Sequence, residues 1–335
     1  MTGTVREDAA SGSVELERYR VELTGYCYRL LGSAFEAEDA VQETMTRAWR
    51  GLDRFEGRSA LRSWLYRIAT NVCFSMLSAS QRRARPMDLT GPSVAGDPLG
   101  PPLAENVWVT PVADDRVLNP DGDPADLAVA RESVRLAFVA ALQHLPPRQR
   151  AVLILCEVLR WKASEAAELL ETTVASVNSA LQRARATLAG LNPDTAGGDA
   201  GDNRQLVERY VDAFERFDMD SLVALLHEDV TLTMPPHAFW VHGAENAHRW
   251  WLSPGPAACR DGRLIPVAAN GTAAFGAYRL APDGGHNAFS IQVLDIRDGR
   301  IAAIDYFLDT ATMFPLFGLP ERLPPASAER AAVTS

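Results

Sequence analysis

Between residues 16 and 85 the apolar positions recur at three- and four-residue intervals, the signature of helices with one buried face. Ser33-Ala34-Phe35-Glu36 has the spacing of a capping box, which predicts a helix from there to about Arg50. Val41, Met45, Ala48 and Trp49 are expected on its inner face, and a second helix is predicted over 60–80. Periodicity then stops. Residues 86–130 are punctuated by Pro101-Pro102, Asn119-Pro120 and Asp121-Gly122, so they read as a long linker at a domain boundary. Within it, Val107-Trp108-Val109 is an apolar island expected to dock. Helical spacing resumes over 131–190, broken by Pro146-Pro147, and Gly197-Gly198 with Gly201 marks a second linker. Two amphipathic helices follow (204–215 and 219–226), then alternating segments near 228–234, 262–269, 272–281, 287–296 and 300–308. Helices followed by strands in this order predict an α+β domain.

Charge sharpens this division. The chain of 335 residues is long enough for two or three domains, and its net charge of -10 argues at first sight against nucleic acid. That total hides segregation: 16–85 carries +4, 86–130 carries -7, 131–190 carries +3, and the remainder from 202 carries -6. Two basic modules are therefore separated by an acidic tether and followed by an acidic domain, a pattern that favours phosphate at two places only. Cys27, Cys73, Cys156 and Cys259 form no paired motif and fit buried thiols of a reducing compartment. With no leader-like or membrane-length apolar run, a soluble cytoplasmic protein is expected.

The sharpest motif spans 161–185. A short amphipathic helix over 161–170, a turn at Glu171-Thr172 and a second helix from Val174 have the dimensions of a helix-turn-helix. Val174, Val177 and Leu181 are expected inward. Ser176, Ser179, Gln182 and Arg183 are expected outward, suited to base edges in a major groove. A plain helical hairpin with a solvated polar face would look the same. Glu171 occupies a turn position commonly filled by glycine, and a left-handed conformation there costs on the order of 1 kcal/mol. Arg58 to Arg85 holds six Arg and no acid, interleaved with Trp64, Tyr66 and Phe74, which suits single-stranded DNA. Trp64 and Tyr66 read better as packing residues, leaving Arg58, Ser59, Asn71, Arg82, Arg83 and Arg85 as the DNA candidates.

These stretches, in this order, resemble a known family. Ala37-Glu38-Asp39-Ala40-Val41-Gln42-Glu43-Thr44 looks like the region of sigma-70 factors that grips the clamp helices of RNA polymerase. Trp64 to Asn71 looks like the part that opens the −10 element. Leu145 to Val152 and the helix-turn-helix look like the region that binds the −35 element and the β flap. Without further domains between them, the modules resemble the extracytoplasmic-function class. The resemblance implies that Asp39, Gln42 and Glu43 contact core polymerase. It assigns Arg58, Ser59, Asn71, Arg82 and Arg83 to the −10 DNA, and Ser176, Asn178, Ser179, Gln182, Arg183 and Arg185 to the −35 duplex. In the family the connection between modules threads through polymerase, where Asp114, Asp115, Asp121 and Asp123 would mimic nucleic acid.

Residues 203–322 resemble, more loosely, the SnoaL-like branch of the NTF2-like cone fold, appended in some actinobacterial sigma factors of the SigG type. Ala268 to Gly276 and Phe317-Gly318-Leu319-Pro320 carry that likeness. The expected architecture is multidomain. A disordered 1–15 leads into two all-α modules (16–85 and 131–190) joined by the linker 86–130. A linker at 191–202, the α+β cone and a disordered tail at 323–335 complete it. His237, Trp240, His242 and Asp305 are candidate pocket residues, with no spacing that demands catalysis, a metal or a cofactor. The expected function is promoter-specific initiation with core polymerase and promoter DNA as partners. The last domain is then expected to be regulatory, with a small-molecule ligand as a candidate partner, and not an enzyme. The alternatives are a cyclase-, isomerase- or hydrolase-type enzyme fused to a regulatory sigma-like half, and a stand-alone helix-turn-helix regulator.

Overall fold

The computed structural model describes residues 15–52, 55, 60–79, 82–120, 123–191, 203–257 and 259–325. They form two compact units: one holds residues up to Arg83 and Val109–Thr195, the other Ala84–Trp108 and the chain from Ala196.

The first unit is helical. Helix α1 (Arg20–Leu31) ends on Gly32 in the left-handed region, whose N–H returns to the Tyr28 carbonyl. Ser33 then caps α2 (Ala34–Gly51), its hydroxyl accepting from the Glu36 amide at 3.3 Å. Helix α3 (Leu61–Ala79) packs on both. Ala37, Ala40, Val41, Thr44, Met45 and Ala48 form the buried stripe of α2. Trp49, expected inward, is 57% exposed; one step past Ala48 turns the side chain about 100° off that stripe. Helices α4 (Pro124–Val134), α5 (Leu136–Gln143) and α6 (Pro147–Leu153) lead through a wide turn at Ile154–Val158 to α7 (Ala163–Leu169) and α8 (Val174–Gly190).

Two buried arginines tie these halves together. Arg29 of α1 donates to the Ser133 hydroxyl at 2.7 Å and the Ala130 carbonyl at 3.4 Å. Arg150 of α6 reaches back to the Leu30 carbonyl, one of the acceptors left over at the end of α1. Tyr66 packs against Trp161 at 5.0 Å between ring centroids, with the Arg62 guanidinium over both rings.

In the second unit, helices α9 (Arg204–Glu215), α10 (Met219–Ala224) and α11 (Ala244–Trp251) pack on a seven-stranded mixed sheet. Its strands are β1 (Leu226–Thr233), β2 (Trp240–His242), β3 (Arg263–Ala269), β4 (Thr272–Leu280), β5 (His286–Arg297), β6 (Arg300–Phe307) and β7 (Arg322–Leu323). The order is β2-β1-β6-β5-β4-β3, with β7 beside β5, and among the described strands β1–β6 is the parallel pair. Helix α12 (Thr310–Leu316) lies on β5. The predicted strands agree with the observed ones to within about two residues, whereas β2, β7, α11 and α12 are additional, and β7 takes in Leu323 from the tail expected to be disordered.

The expectation of a free linker over 86–130 requires correction. Ala84 and Trp108 bridge in parallel, the Ala84 amide donating to the Val107 carbonyl at 2.7 Å, so 84–108 is a loop closed at its base. Its middle is laid along the β1–β2 connection. Ser93 N–H donates to the Trp240 carbonyl (2.7 Å) and Leu103 N–H to the Pro236 carbonyl (2.8 Å). Thr90 donates its hydroxyl to Ala238 O (2.9 Å) and accepts from the Trp240 indole N–H (2.9 Å). The apolar island is divided: Trp108 and Val109 are both buried, one in each unit. From Val109 onward the chain joins the helical unit, burying Val112, Val117 and Leu118.

Candidate nucleic-acid interface and cone cavity

The turn between α7 and α8 has the expected chemistry. Glu171 is left-handed (φ 51°), and Thr173 caps α8 by accepting from the Ser176 amide at 3.1 Å. Val177, Ala180 and Ala184 are the buried residues of α8, one per turn. Val174, expected inward, is 44% exposed because it opens the helix ahead of that stripe. Ser176, Asn178, Ser179, Gln182 and Arg183 are all exposed on a helix held rigid by its cap and buried alanines. Arg185 is also exposed but pairs with Glu157. No acid lies between Thr172 and Gly190. A rigid rod with such a face can present donors and acceptors to base edges and phosphates.

On the first module Asp39, Gln42 and Glu43 are exposed on α2, Glu43 holding Arg47 at 2.6 Å. Asn71 is exposed on α3, and Arg82 is exposed and donates to His144 Nδ1 at 3.0 Å. Arg83 is different. It is 5% exposed and forms a 2.6 Å ion pair with Glu36, so it is a structural cation, and its candidacy for DNA is corrected. The cause is the helix cap: Glu36 sits in the first turn of α2, where it draws the guanidinium inward. Arg58 and Ser59 lie outside the described residues. Tyr66 is fully buried, its hydroxyl donating to Glu22 at 2.7 Å, as packing predicts.

The second unit encloses a cavity of about 430 Å³ between its helices and sheet, within the range of small-molecule sites. Its walls are largely aromatic and aliphatic, Phe214, Trp250, Trp251 and Phe289 among them. Three polar groups stand out. Gln292 is fully buried; its carbonyl accepts from the Tyr210 hydroxyl at 2.7 Å, while its amide Nε2 has no partner among the described residues. Such a donor costs about 1–3 kcal/mol when nothing binds it. Tyr306 accepts from the Trp251 indole at 3.3 Å, and burial raises its hydroxyl pKa. Arg279 stacks over Phe289, 3.4 Å from the ring centroid, and donates to Cys259 Sγ at 3.3 Å. One wall is Gly96–Leu99, from the loop between the helical modules.

The candidate pocket residues His237, Trp240, His242 and Asp305 do not line this cavity. His237 and Trp240 instead hold the 84–108 loop. Trp240 receives Thr90 as above, and His237 Nδ1 hydrogen-bonds the Gly100 carbonyl at 2.8 Å. Asp305 accepts from Thr233 at 2.5 Å near the charge of Arg85, although burial outweighs both and raises its carboxyl pKa. His242 is exposed at the end of β2. Gln292 and Arg279 were legible in principle. Gln292 shares the strand parity of core residues Leu294 and Ile296, and Arg279 that of Phe275 and Ala277. A polar residue at an inward strand position is a signal that a search for histidines passes over. Among the described residues no His/Cys/Asp/Glu cluster could hold a metal ion, and no helix is long and apolar enough to cross a membrane.

Comparison with known proteins agrees with this architecture. Residues 16–83 match the Sigma-70 region 2 model, 135–188 the Sigma-70 region 4 model, and 207–304 the SnoaL-like domain model. The chain is 44% identical over 321 residues to the ECF RNA polymerase sigma factor SigG of Mycobacterium tuberculosis, covering 93% of this chain and 84% of that protein. It belongs to the extracytoplasmic-function sigma-70 family. The sigma factor SigJ of the same organism is 28% identical over 87% of this chain and 89% of its own. The SigJ crystal structure superposes with a TM-score of 0.57 at 25% identity, covering 92% of this chain and 99% of that one. The molecule is thus a sigma factor with two helical modules and a C-terminal SnoaL-like cone, and the initiation reading stands over the fused-enzyme alternative.

Proposed function

We propose that this sigma factor joins core RNA polymerase in the cytoplasm and directs it to promoters, performing no covalent chemistry itself. The observation that carries the reading is the α8 face: Ser176, Asn178, Ser179, Gln182 and Arg183 are exposed together on a capped helix within a region 4 match. In this reading they meet the −35 duplex, with Arg185 released from Glu157 to a phosphate. Asn71 and Arg82, with Arg58 and Ser59, serve the −10 element. Asp39, Gln42 and Glu43 meet the polymerase clamp helices, and the second module meets the β flap. Trp49 adds an apolar contact, since it is exposed two turns after Gln42 on the same flank of α2.

Elements named for positions −10 and −35 lie on the order of 80 Å apart along B-DNA. A packed unit of about 160 residues spans roughly 40 Å. The two modules therefore separate to engage both elements, and the contacts of Arg29, Arg150 and Trp161 hold a closed form. The cone serves as the regulatory domain. Its cavity wall offers one carboxylate among the described residues, Asp97, whose oxygen already accepts the Val94 amide at 2.8 Å; this favours binding over acid/base catalysis. Run-off transcription with core enzyme tests the reading. Full-length protein yields a promoter-specific transcript, including from its own upstream region, and a Gln182→Ala/Arg183→Ala variant does not. No transcript from any candidate promoter would refute it.

A further inference from the structure

The unpartnered Gln292 amide and the Arg279 guanidinium stand at different depths of one cavity. Across the β4–β5 register Gln292 is level with Phe275 and Arg279 with Asn287, four residues along β4, or about 13 Å. The lining they share includes the aromatic rings of Phe214, Trp250, Trp251 and Phe289. Arg279 has contacts to Cys259, Gly255 and Phe289 but no carboxylate partner among the described residues. An occupant that satisfies both groups has a flat apolar body, a neutral acceptor at the deep end and an anion at the other. Over that body lies Gly96–Leu99, part of the loop joining the two DNA-reading modules.

We propose that the cavity binds an elongated aromatic acid, its carbonyl or hydroxyl oxygen on Gln292 and its carboxylate on Arg279, and that occupancy clamps the 84–108 loop onto the cone. This rests on the reading of the cone as a regulatory module. The coupling is direct: a molecule that touches Pro98 and Leu99 as well as the cone adds contacts that exist only while the loop is docked, so binding and docking favour each other equally. Ala95, packed against the core beside this wall, already seats the loop there. The loop leaves and re-enters through the Ala84–Trp108 bridge, so its docking fixes both ends of the connection at one point.

The test uses the full chain and a hydroxybiphenyl carboxylate, with the phenol on one ring and the carboxylate on the other. Binding is followed by calorimetry, and loop docking by hydrogen exchange of the Ser93 and Leu103 amides, which donate to the Trp240 and Pro236 carbonyls. Saturable binding is expected, with at least tenfold slower exchange at both amides. Removing either polar group from the probe should weaken binding at least tenfold, as should Gln292→Leu or Arg279→Met. The probe series leaves the protein unaltered, so it decides the matter even where a variant folds poorly. Equal affinity for bare biphenyl, or no binding at millimolar probe, overturns the assigned chemistry. Saturation with unchanged exchange at Ser93 and Leu103 overturns the clamp. If the clamp forms but run-off transcription is indifferent to the probe, the binding inference is supported and the regulatory reading is overturned.

Discussion

Arg150→Met removes the cation that joins the second helical module to the end of α1. Arg150 is 3% exposed. Burial, with no carboxylate partner among the described residues, pulls its pKa down to about 10, an opposing cost of roughly 3 kcal/mol at 1.36 kcal/mol per tenfold. Against that stand four charge-assisted hydrogen bonds: to the Leu30 carbonyl, to Gln143 Oε1 at 2.6 Å, to the Gln143 carbonyl at 3.2 Å and to the Leu145 carbonyl at 3.1 Å. At about 1.5 kcal/mol each they supply roughly 6 kcal/mol. The guanidinium is therefore a net stabiliser by about 3 kcal/mol, and methionine, which fills the space without donating, leaves those acceptors unpaired. Only the Leu30 bond crosses between the modules, so closure itself weakens by about 1.5 kcal/mol, close to a tenfold shift toward separation.

Two assays follow from these figures. Denaturant unfolding of the full chain should show the helical transition destabilised by about 3 kcal/mol with the slope unchanged. Binding of a promoter fragment by the folded variant should strengthen up to tenfold, because less work is needed to part the modules. Arg29→Met, which breaks the contact from the other side at Ser133 and Ala130, should act in the same direction. A midpoint within 0.5 kcal/mol of wild type would contradict the balance above, whose smallest term exceeds that margin. A destabilised variant that binds promoter no better would show that the closed contact does not oppose engagement.

Other substitutions separate structural from contact roles. Asp305→Asn is expected to stabilise the cone at neutral pH. The native carboxyl titrates above its ordinary value, so between those two values the native state binds more protons than the unfolded one and stability falls as pH rises; the advantage of Asn should vanish below that window, and a pH-independent difference would count against burial as the cause. Trp49→Ala should leave the unfolding midpoint within about 0.5 kcal/mol yet weaken core polymerase about 10- to 100-fold, as for an interface anchor. Gln182→Ala should relax discrimination at one base pair by about 1–3 kcal/mol, whereas Arg183→Ala weakens all −35 duplexes and lowers the salt slope by about one. Arg83→Ala should cost about 3 kcal/mol of stability, since it strands Glu36; an Arg83→Ala protein of normal stability with lost −10 binding would restore its assignment to DNA.

What was legible in this chain is what repeats locally. The Ser33 cap and the five long strands each follow from a period or a cap within a few residues, and the turn position of Glu171 is left-handed as expected. The inner face of α8 is less so: of Val174, Val177 and Leu181 only Val177 is buried, and Ala180 and Ala184 complete the stripe. The loop at 84–108 lacked any such period for a physical reason. Its backbone groups are satisfied one at a time by Trp240, Pro236 and His237, more than 130 residues away, so no alternation of buried and exposed positions is imposed on it. Pro101-Pro102, a turn signal by composition, is instead extended, with Pro102 bridged to His237, so neither a turn nor freedom follows there. The misplaced pocket follows from the same cause. His237 and Trp240 attract attention as chemical side chains, but their hydrogen bonds are spent on the loop, and a side chain so engaged is withdrawn from a ligand. Gln292 is the reverse case: an unremarkable residue type on a strand, made significant because Tyr210 takes its oxygen and no group among the described residues takes its nitrogen. Only the fold reveals which half of an amide is left over, and it is that unsatisfied half that gives an apolar cavity a preference for one chemistry over another.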